Sequence, residues 1–156
     1  MKTRVNTKKA CLWGAIVLII DMITGNLLYM NPAVMKIFQE FEGHPTIKPM
    51  EAFGGMSNWI LLNASFSIIF IIILISLFVK LYESLPGNGW IKGLSFGLIV
   101  GIIKAVPEAF NQFMLFNYPT PLIIVQLVNT LLGLIIFGTL LGFFFTRFKV
   151  IEEIEG

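Results

Sequence analysis

The sequence has little charge. Only 13% of its 156 residues are Asp, Glu, Lys or Arg, about half the ~25% of an ordinary soluble domain. That excludes a disordered, highly charged binding protein and argues against a soluble enzyme. There is one cysteine, Cys11, which excludes an intramolecular disulfide, a Cys-cluster metal site and a CxxC redox motif. There is one histidine, His44, which excludes a bis-histidine haem or an HExxH zinc site within one chain. The net charge of +2 is too small to indicate nucleic acid as a partner. No nucleophile motif, metal set or phosphate loop stands out. The chain is therefore read as non-enzymatic, with no cofactor.

What the chain has in abundance is apolar side chains. They make up 56% of the residues, 15 of them Phe, and mean hydropathy is +0.85. A bilayer core needs ~20 mainly apolar residues in helix. Four stretches qualify, at 10–30, 57–79, 90–116 and 119–146. The turn Asn117-Tyr118-Pro119 joins the last two, and the first two are joined by a longer loop, 31–56. The expectation is an all-α, four-span up-down bundle forming one transmembrane domain. No A-x-A-like cleavage site follows the first apolar run, so span 1 reads as uncleaved. Cys11 reads as a buried thiol. In loop 31–56, Pro32 can open a helix. Ala33, Val34, Ile37, Phe38 and Phe41 then share one face, as in a short interfacial amphipathic helix. His44 reads as a solvated loop residue.

Orientation follows from Lys and Arg near the span ends. Lys2, Arg4, Lys8, Lys9, Lys80, Lys92, Arg147 and Lys149 lie on one side, Lys36 and Lys48 on the other. Tails 1–9 and 147–156 are accordingly placed in the cytoplasm of a plasma-membrane protein. The opening of span 3, Lys-Gly-Leu-x-Phe-Gly-Leu at 92–98, together with Pro107, looks like small bacterial membrane proteins. That implies a bacterial inner membrane as the location and carries no function with it.

Spans 1 and 3 are similar to one another. Gly14-Ala15-Ile16-Val17-Leu18-Ile19-Ile20-Asp21 aligns with Gly97-Leu98-Ile99-Val100-Gly101-Ile102-Ile103-Lys104 at an offset of 83 residues. This suggests a parallel 2+2 repeat, with its axis along the membrane normal.

Three charges stand inside the spans: Asp21, Lys104 and Glu108. Each costs ~2.5–3.5 kcal/mol unpaired, roughly 8–10 kcal/mol together, against a net domain stability of ~5–15 kcal/mol. They should therefore be paired, neutralised or wetted. Lys104 and Glu108 are i,i+4 and can meet, and Asp21 can reach Lys104 if spans 1 and 3 touch. Asn111 and Gln112 follow near the same face, and Asn63, Gln126 and Asn129 project from spans 2 and 4. This set, Asp21, Lys104, Glu108, Asn111, Gln112, Asn63, Gln126 and Asn129, is the candidate ligand-binding or coupling site. Pro107 frees the carbonyl of Ile103, which Lys104 or water could satisfy.

Gly93, Gly97, Gly101, Ala105 and Ala109 recur every four residues in span 3, and span 4 carries Gly138 and Gly142. Such ridges let backbones approach closely. The expectation is a tight inner half and a more open, polar outer half. Packing within the chain is one use of the ridge and dimerisation is the other. Two functions follow. The first is a membrane protein whose polar site binds a small ligand, a lipid or a partner subunit. The second is a small oligomeric transporter or channel coupling protons or cations through Asp21 or Glu108.

Overall fold

The computed structural model describes residues 2–154, so residues 1, 155 and 156 of the two tails lie outside the described residues. Four helices are long and apolar enough to cross a membrane: α1 (Thr7–Tyr29), α3 (Met56–Leu81), α4 (Trp90–Leu115) and α5 (Thr120–Arg147). A shorter helix, α2 (Pro32–Glu40), lies in the loop after α1, and a 3-10 turn (Met50–Phe53) precedes α3. Runs of Ile, Val and Phe would favour strands in water. In a bilayer only a helix satisfies every backbone group within its own segment.

The helix starts are chemically specified. Asn6 caps α1 by accepting from the Lys9 backbone N–H at 3.1 Å. Asn31 caps α2 by accepting from Val34 N–H at 3.0 Å, and its amide donates back to the Leu28 carbonyl at 2.7 Å. Pro32 takes the first helical position, where its missing N–H costs nothing. Val34 is buried, and α2 packs on α1 and α5. The turn into α4 uses Gly87 and Gly89 at φ 86° and 53°, a region that favours glycine.

The tails do more than flank the spans. Lys2–Val5 (β1) and Ile151–Ile154 (β2) pair antiparallel, with Lys2 opposite Ile154 and Arg4 opposite Glu152. Neither strand was visible in the sequence patterning. Val150 is fully buried, and the Asn6 N–H donates to its carbonyl at 2.9 Å.

The core sits at the end of the helices that carries this ribbon. Val17, Ile71, Leu74, Phe78, Phe96, Phe137, Leu141 and Phe145 form one buried cluster. Phe78 meets Phe96 and Phe145 edge-on at 5.2 and 5.9 Å, the favoured aromatic geometry. Trp13 stacks on Phe144 and Phe148 beside it. By contrast, Ile60, Leu61, Leu62 and Phe66 in the first half of α3 are all more than half exposed. Cys11 is exposed rather than buried. With Ala15 and Ile19 it falls on the outward stripe of α1, one turn apart each time.

Candidate functional site

α4 and α5 form the most extensive helix pair, and glycine determines how closely they approach. A Cβ at Gly93 would lie 2.0 Å from the Gly138 carbonyl oxygen, and one at Gly97 2.3 Å from that of Leu134. From the other side, a Cβ at Gly138 or Gly142 would meet the backbone of Gly93 and its neighbours at 2.4–2.8 Å. Gly101 is looser, with the Leu131 side chain at 3.3 Å. The ridge is thus filled by α5 of the same chain. Toward the far ends of the pair, Ala105 and Ala109 replace the glycines, and a small, partly open crevice appears between the helices. Its inner space admits about one water-sized group.

Ala105, Glu108, Ala109, Gln112, Gln126 and Thr130 are among the residues that line the crevice. The Gln112 Nε2 donates to Gln126 Oε1 at 2.9 Å, and Gln126 Nε2 donates to the Tyr118 hydroxyl at 2.9 Å. Tyr29, at the end of α1, interacts with Thr130 and lies within electrostatic reach of Glu108 and Tyr118. The Gln112 Oε1 is buried and has no hydrogen-bond partner. An unpaired buried acceptor carries a desolvation cost of ~1–3 kcal/mol, so this oxygen is where a donor would bind.

The sequence-derived residues separate into groups. Glu108, Gln112 and Gln126 are brought together at the crevice. Asn129 is buried beside it and donates to the Leu28 carbonyl at 3.0 Å, tying α5 to α1. Asn63 is exposed on α3 and donates to its own helix at Trp59, and Asn111 is exposed on α4. The Lys104 ammonium lies 5.4 Å from the Phe70 ring centroid, a cation–π distance, rather than on Glu108 or the Ile103 carbonyl. α1 packs chiefly on α5, with smaller contacts to α3 and α2. Asp21 is half-buried, two turns beyond Gly14, which faces Ile75 of α3. No ion pair joins Asp21, Lys104 and Glu108 among the described residues.

Sequence reasoning missed two participants. Tyr29 stands at the end of span 1 and Tyr118 in a turn, so neither gave a mid-span signal. Tyr118 meets Gln126 and Tyr29 meets Thr130 because α1 and the α4–α5 turn end at the same level. At the other end of α4, away from the crevice, Lys92 reads as a flanking charge yet is 8% exposed. Its ammonium donates to the Tyr82 carbonyl at 2.7 Å and lies 4.3 Å from the Tyr82 ring centroid, which locks the α3–α4 connection.

The described residues include no group of three or more His, Cys, Asp or Glu placed to hold a metal. The crevice offers an amide oxygen, a carboxylate and a hydroxyl, the makings of a binding site. No curated protein and no solved structure matches the chain. A family model matches residues 7–155, from the first turn of α1 to beyond the last span, and the chain belongs to that family, the family of unknown function DUF6789.

Proposed function

We propose that the protein is a non-enzymatic multi-pass membrane protein whose crevice between the outer halves of α4 and α5 binds a small ligand or a lipid headgroup. The observation that carries this reading is the Gln112 Oε1, buried without a partner beside Glu108. Intramembrane ionisable residues are functional candidates by default. Here one of them, Glu108, lines the same crevice as an acceptor left without a partner among the described residues.

The same reading takes the four long helices as an up-down bundle with both tails cytoplasmic, on the strength of eight Lys and Arg on one side against two on the other. The sequence match of spans 1 and 3 adds a parallel 2+2 repeat to this reading, although α1 packs mainly on α5 rather than on α3. Gly14 packs on Ile75 of α3, and its counterpart Gly97 packs on Leu134 and Ile135 of α5. Each thus meets the span that follows it.

A second reading is an oligomeric transporter coupled through Asp21 or Glu108. Two intramembrane carboxylates without an ion pair favour it, and a crevice with room for about one water disfavours it. Native mass spectrometry of the protein, gently released from its membrane, decides between them. The binding reading expects a monomer carrying a small-molecule or lipid adduct that Gln112→Leu loses. A bare homo-oligomer that drives ion flux in vesicles would replace that reading with transport.

A further inference from the structure

We infer that the occupant of the crevice is a protonated primary amine, the ammonium of a free alkylamine or of an aminophospholipid headgroup. This rests on the binding reading above and specifies its ligand class. The argument follows the direction of the hydrogens. Gln112 and Gln126 each direct one amide N–H along the relay toward Tyr118 and keep a second. The Thr130 hydroxyl is engaged with Tyr29. The nearest intramembrane cation, Lys104, is held over Phe70. The polar atom left buried without a partner is the carbonyl oxygen of Gln112, which lines the crevice, and one turn before it stands Glu108. Both accept, and an ionised carboxylate only accepts. The Glu108 carboxylate would repel an anion, and a neutral acceptor or an apolar group would leave the Gln112 oxygen unpaired.

An ammonium supplies positive charge and three directed donors, and charge-assisted bonds are the strong ones. Size adds selectivity. The inner space takes one group the size of water, which suits –NH3+ and is too small for a trimethylammonium. The site should therefore separate ethanolamine from choline headgroups.

The test uses the full chain, delipidated in detergent, with thermal unfolding followed against added ligand at constant ionic strength. The probes are methylammonium, tetramethylammonium and potassium chlorides, and phosphatidylethanolamine, phosphatidylcholine and phosphatidylglycerol. Methylammonium or phosphatidylethanolamine should raise the midpoint at concentrations at least tenfold lower than the corresponding quaternary compound. A response to the lipid alone assigns the amine to a headgroup, and a response to both assigns it to free amines as well. Glu108→Gln and Gln112→Leu should each weaken the response tenfold or more, and Ser76→Ala, on the outer face of α3, should leave it unchanged. If Gln112→Leu does not fold, Glu108→Gln carries the test alone. Equal responses to ethanolamine and choline lipids, to potassium and methylammonium, or a preference for phosphatidylglycerol overturn the amine assignment. The last outcome would mean that the relay runs the other way, with Tyr118 donating and Gln112 turning its N–H groups to the crevice. A native adduct lost in Gln112→Leu but displaced by no amine would retain the site and refute the ligand class. No adduct, with variants indistinguishable from the parent, would refute both.

Discussion

Replacing Gly93 with alanine tests the α4–α5 crossing directly. The new Cβ would stand 2.0 Å from the Gly138 carbonyl oxygen, and real Cβ atoms essentially never approach within 3.0 Å. The obstacle is backbone, so no side chain can rotate away. The helices must separate by about 1 Å, a gap that forfeits a quarter to a half of each contact's dispersion energy. Overpacking of this kind costs ~1–3 kcal/mol. Alanine returns ~0.5–1 kcal/mol of helix propensity, leaving a net loss of about 1–2 kcal/mol. At roughly 2–4 °C per kcal/mol for a chain of this size, the midpoint of thermal unfolding in detergent should fall by roughly 2–8 °C. Gly25 is the internal control. Nothing lies within 4 Å of a Cβ there, so Gly25→Ala should gain the propensity term alone and melt slightly higher. If Gly93→Ala melts at or above the parent, or if both variants shift alike, the glycines do not set the helix separation and the close approach is wrong.

Four further outcomes are expected. Lys92→Met leaves the Tyr82 carbonyl without its donor and should lower stability by about 1–3 kcal/mol in denaturant titration. Asn129→Leu removes the bond to Leu28 and should cost about 1 kcal/mol, with faster amide exchange near the end of α1. Gln126→Leu cuts the relay at its middle and should weaken adduct retention about tenfold, the equivalent of ~1.4 kcal/mol. In a Cys11→Ser background, an impermeant thiol reagent applied outside intact cells should label Lys48→Cys and spare Lys149→Cys. The reverse pattern would invert the orientation.

The spans were legible because a bilayer imposes length and apolarity on every residue of a crossing. The structure begins α1 at Thr7 rather than at residue 10 and ends α5 at Arg147 rather than 146, the uncertainty of fraying ends. α2 was legible for a different reason, since Asn31-Pro32 and the apolar stripe from Val34 encode a cap and a face. The site was legible only in part. Residue type marked Glu108, Gln112 and Gln126, but their grouping depends on how α5 rotates against α4. Asn63 and Asn111 have the right chemistry on faces turned outward, and mid-span position does not fix azimuth. Asp21 and Lys104 align in sequence, but α1 packs chiefly on α5 and the Lys104 ammonium lies over Phe70, so matching depth did not make them an ion pair. The terminal ribbon was invisible. Four-residue strands carry too little pattern, and their pairing spans nearly the whole chain.

That ribbon constrains the chain in a way no single helix does. Hydrogen-bonded strands cannot have a bilayer between them, so the polypeptide between Val5 and Ile151 must cross a membrane an even number of times. A topology with one span left on the surface is ruled out by parity as long as the ribbon holds. The ribbon also orders events in time. Its second strand follows the last span in the sequence, so the first strand must wait near the membrane until every helix between them has been inserted. Closing that pairing is a long-range step of the kind that slows folding, and it would be the point at which a correctly threaded chain is distinguished from a misthreaded one.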